Sequence, residues 1–197
     1  MSDLSGAFER VAASLRRAQC RSEIELTEIS APDARAADSI AFSATIREPA
    51  SSHPSVAGSR DPVREQATGR FLLIHAPDRA PEWGGAFRIV TYVKAEVERD
   101  LGHDGMLAQV AWSWLLEALD RAGAGYSREG GTASRVLSEG FGQLADTEEY
   151  IDVELRASWT PSGEDLAAHL EAWADMVCTF AGLPQQTDRD AVVPLRP

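Results

Sequence analysis

The sequence has few of the residues that usually mark a reactive or metal-binding site. Only two cysteines, Cys20 and Cys178, occur among its 197 residues. Two cysteines so far apart provide neither a disulfide framework nor a metal-ligand pattern, and we expect reduced, packed thiols. The four histidines are scattered without the spacing of metal ligands. The sequence therefore predicts no metal, no cofactor and no catalytic residue.

Positive charge and long apolar runs are also scarce. Lys94 is the only lysine, and 19 basic residues stand against 31 acidic ones, which gives a formal net charge of −12. This charge repels nucleic acid and anionic membranes at long range, so neither is an expected partner. No stretch is apolar enough to span a bilayer, and the N-terminus lacks the apolar core of a secretory signal. We therefore expect a cytoplasmic protein.

The residues that are present have the proportions of a globular protein, 44% hydrophobic and 25% charged. The length suffices for one domain with a sizeable core, which we place at residues 1–184. Within it, residues 48–68 are rich in Pro, Ser and Ala and contain few large apolar groups. We predict a flexible loop there, and a C-terminal tail at residues 185–197.

Two hydrophobic periodicities alternate along the chain and predict the fold class. Helical spacing of apolar residues predicts helices over residues 4–19 and 104–121, and a third that begins near Ser162. Period-two alternation predicts four strands before the second helix and two after it. The result is an α+β fold in the order α-ββββ-α-ββ-α, with an antiparallel sheet of about five to six strands covered by three helices. By analogy alone, this layout resembles that of small acidic secretion chaperones.

Two segments look like functional motifs but are better explained as structure. The glycine-rich stretch at 123–131 follows a helix and lacks the Lys-Ser/Thr of a phosphate loop, so we interpret it as a turn. The last helix carries His169, Cys178 and several acidic residues, but a rotation of about 100° per residue distributes them around its axis. Asp165 and His169 stand at the i,i+4 spacing of a side-chain pair.

The second predicted helix has apolar residues on nearly all of its surface, which leaves two interpretations open. Such a helix lies either deep in a core or partly against another chain. The second interpretation predicts a homodimer that forms through this helix or through a sheet edge. Its candidate interface residues are Trp112, Leu115, Leu116 and Leu119.

The polar face of the last two predicted strands is the candidate binding site. Arg135 and Glu139 alternate on one strand, and Glu154, Arg156 and Ser158 alternate on the next. If the two strands pair as a hairpin, these side chains form a charged ladder. The ladder is either a set of cross-strand ion pairs on a solvated face or a recognition surface. In the second case its two guanidinium groups suit a carboxylate or a phosphate.

Several segments, among them FRIVTYVKAEVE, GTASRVLSEGFG and HLEAWADMVCTFAGLP, resemble those of DUF3000, an actinobacterial domain family of unknown function. The resemblance runs from about residue 6 to residue 184. It implies a bacterial, cytosolic protein and carries over no catalytic residues. Genes of this family often neighbour those for a ribonuclease D-like protein and for haem synthesis, which implies a role in RNA metabolism as one alternative.

Three functions follow from these observations as hypotheses. The first is a non-enzymatic protein-binding adaptor or chaperone-like module, because the chain is acidic, has an unusually apolar helix and brings no reactive residues together. The second is a small-ligand-binding protein or an enzyme that uses the polar sheet face near Arg135 and Arg156. The third is an accessory factor in RNA metabolism, against which the net charge speaks.

Overall fold

A computed structural model places most of the chain. It describes residues 2–31, 38–47, 65–97, 105–144 and 150–185. The loop predicted at 48–68 lies outside the described residues except for its last four positions, which belong to a strand. The predicted tail also lies outside them, except for Gln185.

The described strands form one antiparallel sheet. They are β1 (Glu25–Ile29), β2 (Asp38–Arg47), β3 (Glu65–His75), β4 (Phe87–Val97), β5 (Tyr126–Ser138) and β6 (Tyr150–Pro161). Their order in the sheet is β1-β2-β3-β4-β6-β5, with every neighbouring pair antiparallel. This confirms the predicted α+β class and the antiparallel sheet, whose six strands agree with the predicted five to six.

Four α-helices accompany the sheet in the described part of the chain. They are α1 (Ser2–Leu15), α2 (Ala80–Trp83), α3 (Leu107–Arg121) and α4 (Ala167–Phe180). The sequence predicts only the three long ones. Helix α2 is a single turn between β3 and β4, with Pro81 at its start and Gly84 in the left-handed conformation after its end. A hydrophobic periodicity cannot be recognised in four residues.

The three long helices pack on one face of the sheet, which we call the inner face. Its centre is Phe71 of β3, whose ring centroid lies 6.3 Å from that of Trp159 in β6 and 5.5 Å from that of Trp173 in α4. All three side chains are fully buried. The opposite face of the sheet is the outer face. Alternate residues of each strand therefore point to the helix-covered core and to the outer face, which none of the described long helices covers.

Helix α3 belongs to this core, and the prediction that it forms an interface is wrong for two of its four residues. Leu115 and Leu119 have no exposed surface, so they cannot contact a second chain. Trp112 and Leu116 are half-buried. The ring of Trp114 packs edge-on against Phe180 of α4. The apolar surface of α3 is wide because the helix contacts both the sheet and α4.

The prediction of a turn over the glycine-rich stretch is also wrong, because β5 begins at Tyr126 within it. Gly130 and Gly131 pair with Ser158 and Ala157 of β6. A β-bulge precedes them, with Arg128 at a positive φ of 52°. The bulge shifts the register and lets two glycines, which have low strand propensity, continue as an edge strand.

Helix α4 is buried on most sides rather than along one narrow stripe, and the Asp165–His169 pair is not formed. His169 points inward and its Nδ1 accepts a hydrogen bond from Trp159 Nε1–H at 3.2 Å. Asp165 instead accepts the N–H of Ala167 at 3.1 Å. The preceding N–H, of Leu166, is accepted by Ser14 Oγ of α1 at 2.9 Å. The start of α4 is thus capped partly by another helix.

We predict that Gly69→Ala lowers the free energy of unfolding by about 1–3 kcal/mol. Gly69 lies in β3 on the inner face, and an added Cβ would stand 2.6 Å from Cζ2 of the buried Trp173. The matched control is Gly130→Ala in β5, where an added Cβ meets nothing within 4 Å. Urea denaturation should show a change within about 0.5 kcal/mol for the control. Equal losses would contradict the close packing of Trp173 on β3.

Candidate functional site

The outer face of the sheet carries no long helix within the described residues. Helix α2 reaches only one end of it, where Thr160 Oγ1 donates a hydrogen bond to the carbonyl oxygen of Trp83 at 2.6 Å. Among the described residues, the rest of the face is formed by side chains of the strands. The strongest candidate for a functional surface is therefore the part of this face that departs from a flat, polar surface.

That departure is a depression of about 520 Å³ across β3, β4, β6 and β5. We call it the outer trough and define it by Arg70, Leu72, Val90, Tyr92, Gly130 and Arg156. Gly130 has no side chain, and an added Cβ there would meet open space. The edge strand β5 therefore has no side chain that rises above the sheet at this position, and the depression is open beside it.

One cross-strand row of residues forms the charged side of the outer trough. Arg70 of β3 is paired with Tyr92 of β4, and Tyr92 is paired with Arg156 of β6. The row continues to Thr132 of β5. Directly paired residues on one face have adjacent side chains, so two guanidinium groups flank one phenol ring.

The next row along the strands forms the apolar floor. Leu72 is paired with Val90, Val90 with Ser158, and Ser158 with Gly130. Val90 is 38% exposed, which is unusual for a large apolar side chain in the middle of a sheet. The outer trough thus combines an apolar floor with a cationic border.

The Arg156 side chain is held in place by two neighbours. Its guanidinium carbon lies 5.0 Å from the centre of the Tyr92 ring, the arrangement of a cation–π contact. Its Nη2 lies 2.8 Å from Oε2 of Glu154. Burial, and secondarily a hydrogen bond to Glu154, raises the pKa of the Tyr92 phenol above its ordinary value. The ring is therefore neutral at physiological pH, and Arg156 remains the charged member of the pair.

Arg70 and Arg88 hold two further positive charges near the outer trough, and their side chains differ in their bonding. The Arg70 side chain is exposed and makes no hydrogen bond or ion pair with the described residues, although its backbone carbonyl accepts the Thr91 hydroxyl. Arg88 donates from Nη2 to Ser158 Oγ at 2.7 Å and from Nη1 to Thr160 Oγ1 at 3.0 Å. Burial, and then the charge of Arg128, lowers the pKa of Arg88 from its usual high value. Arg70 therefore has free donors, whereas Arg88 links two strands.

The structure brings together only part of the predicted site. The hairpin of β5 and β6 forms, and Glu154, Arg156 and Ser158 lie on the outer face as predicted. Arg135, however, is paired with Val153, so it lies on the same side of the sheet as the core residues of β6. Glu139 follows the end of β5. The two arginines of the predicted ladder are therefore on opposite sides of the hairpin.

Five of the six residues that define the outer trough were not predicted as site residues: Arg70, Leu72, Val90, Tyr92 and Gly130. The first four lie on β3 and β4, whose alternation shows which residues share a face. Sequence alone does not show that β6 pairs with β4, because α3 and β5 separate them in the chain. A signal that was available is the polar side of β4, where Arg88, Tyr92 and Lys94 alternate.

Other chemically reactive groups lie away from the outer trough. Both cysteines are free thiols, and burial raises the pKa of Cys20 and of Cys178 to about 11. Among the described residues, no three His, Cys, Asp or Glu side chains are grouped to hold a metal ion. None of the described helices has the length and apolar character needed to cross a membrane.

The chain was compared with protein-family models, with curated proteins and with solved structures. A family model described as a protein of unknown function (DUF3000) matches residues 4–189. The match covers nearly the whole chain, so the chain belongs to this family, as the resemblance of its segments implies. Neither the curated proteins nor the solved structures gave a match.

Proposed function

We propose that this member of the DUF3000 family is a non-enzymatic binding protein, an adaptor or chaperone-like module, and that a partner protein docks on its outer face. The observation that carries the proposal is the outer trough, on the face of the sheet that no long helix of the described residues covers. An antiparallel sheet face in water is usually polar along its whole surface. Here an apolar row, with Val90 exposed and Leu72 half-buried, stands between arginines, a combination that is common at protein interfaces.

The shape of the outer trough favours a protein over a small molecule. All of the residues that define it lie in strands, so it is open along its length. Small-molecule sites usually enclose most of the ligand surface. The residues that line it in the described structure include no cysteine and no histidine, and the nearest acid, Glu154, is bound to Arg156. This composition suits binding better than nucleophilic or acid–base chemistry.

A small anionic ligand at the same surface is the second candidate. The volume of the outer trough, about 520 Å³, is within the range of ligand pockets. The two guanidinium groups at its border suit a carboxylate or a phosphate. This candidate corresponds to the second of the three hypotheses drawn from the sequence. Its site is now the row that contains Arg156 and no longer includes Arg135. A metabolite that co-purifies with the protein would favour it.

The proposal predicts that Gly130→Trp abolishes binding of the partner. The indole would fill the outer trough, and the fold should tolerate it because the added Cβ meets no atom within 4 Å. Gly105→Trp is the matched control, since that position is equally open and lies at the start of α3. Tagged wild type and both variants would be used for capture from nuclease-treated host lysate. Each protein retained would then be purified and its affinity measured by calorimetry.

We expect a purified partner to bind the wild type and the Gly105→Trp variant equally, and to bind the Gly130→Trp variant at least about tenfold more weakly. A partner that binds all three equally would show that docking takes place elsewhere. If no protein partner is captured, and a metabolite binds the wild type but not the Gly130→Trp variant, the second candidate function replaces the first.

A further inference from the structure

We infer that the outer trough binds an extended, acidic segment of the partner, with a carboxylate on the Arg70–Tyr92–Arg156 row and an apolar side chain on the Leu72–Val90 row. The inference rests on the proposed function and specifies the chemistry of the partner.

The spacing of the two rows matches an extended chain. Arg70 and Leu72 are two residues apart on β3, as are Val90 and Tyr92 on β4. Residues i and i+2 of a strand are about 6.6–6.8 Å apart, and the same spacing holds in any extended peptide. A partner segment that runs along the strands therefore places side chain i on the charged row and side chain i+2 on the apolar row. The pattern it needs is acid-x-apolar.

The charged row has the donors to hold one carboxylate. Arg70 and Arg156 are separated by two strand spacings, about 9.6 Å, with Tyr92 between them. Arg70 has no partner in the described residues, and Arg156 uses only part of its five-donor fork on Glu154. A carboxylate above Tyr92 is within reach of both long side chains. Because the Tyr92 ring and Glu154 already fix Arg156, little side-chain entropy is lost on binding.

The surrounding charges favour a single carboxylate over a polyphosphate. Along the strands from the charged row, Glu154 and Asp152 follow on β6, with Lys94 2.9 Å from the Asp152 carboxylate. A nucleic acid backbone that crossed the outer face would pass over these acids, whose charges repel its phosphates. One carboxylate beside an apolar group contacts the arginines and the apolar floor, and its acidic neighbour Glu154 is already bound to Arg156. We therefore assign the surface to an acidic polypeptide and not to RNA.

The test uses a fluorescent peptide of three Ser-Glu-Ser-Leu repeats and a matched peptide with Gln in place of each Glu. Fluorescence anisotropy should show that the wild type binds the Glu peptide at least about tenfold more tightly than the Gln peptide. Arg70→Gln and Arg156→Gln should each lose about tenfold in affinity for the Glu peptide. Arg10→Gln, an exposed arginine on α1, is the control and should bind as the wild type does.

Each of the other outcomes overturns the inference. These are equal affinity for the two peptides, no binding of either peptide, and Glu-peptide binding that the two arginine variants leave unchanged. An oligouridine RNA that binds more tightly than the peptide and is lost in the same variants would assign the surface to a phosphate backbone. If the peptide test fails but Gly130→Trp still removes the purified partner, the proposed function stands and only the acidic segment is wrong.

Discussion

Phe71→Ala should lower the free energy of unfolding by about 3–5 kcal/mol, which is a large part of the stability of a typical domain. Phe71 has no exposed surface and its ring contacts those of Phe42, Trp159 and Trp173. Alanine would leave a cavity where β2, β3, β6 and α4 meet. The rings of Phe42 and Trp159 cannot close the cavity without moving strands that are paired on both sides.

Urea denaturation followed by tryptophan fluorescence measures this loss, with Leu72→Ala as the matched control. Leu72 is the next residue of β3 and lies on the outer face, where it is half-buried. We expect its loss to stay below about 1.5 kcal/mol. If Phe71→Ala does not fold, Phe71→Leu provides the milder comparison and should still lose more than Leu72→Ala. Equal losses at the two positions would contradict the assignment of inner and outer faces.

Acidification from pH 6.5 to pH 4 should cost the wild type about 3 kcal/mol of stability through His169 alone. Burial lowers the pKa of His169 from 6.5 to about 4 in the folded protein. Its Nδ1 accepts the Trp159 N–H, so it must be unprotonated. Between these two pH values the unfolded chain binds a proton that the folded chain does not. Stability is therefore full above pH 6.5 and falls as the pH is lowered to about 4.

The variant His169→Gln separates this effect from the titration of other groups. Its amide oxygen can accept the Trp159 N–H but does not titrate. Free energies of unfolding, measured in urea at a series of pH values, should therefore decline less for the variant than for the wild type between pH 6.5 and 4. Parallel profiles would show that the protonation of His169 is not linked to folding.

The residues within each strand could be assigned to faces from the sequence, but the faces of different strands could not be aligned. In β6, alternation places Arg156 and Ser158 on one side and Leu155 and Trp159 on the other, as the structure has them. The residues around Arg135 in β5 alternate in the same way, yet Arg135 lies on the opposite side of the hairpin from Arg156. A shift of one residue in register reverses every side chain, and the bulge near Arg128 is not visible in the sequence.

The outer trough could not be predicted for a related reason. It joins Arg70 and Tyr92 to Arg156, and the chain places a helix and a whole strand between Tyr92 and Arg156. Periodicity describes only what lies within one element. The apolar surface of α3 shows the same limit, because the pattern cannot tell a helix that packs on two neighbours in one chain from a helix that meets a second chain.

The strand order also affects the stage of folding at which the outer trough forms. Strands β1 to β4 follow one another as a meander, whereas β6 returns between β4 and β5. Each of these two groups can form from contacts that are local in the chain, but the seam between β4 and β6 closes a much longer loop and is expected to form late. Tyr92 and Arg156 face each other across that seam. The outer trough is therefore expected to be completed late in folding, when β4 and β6 pair.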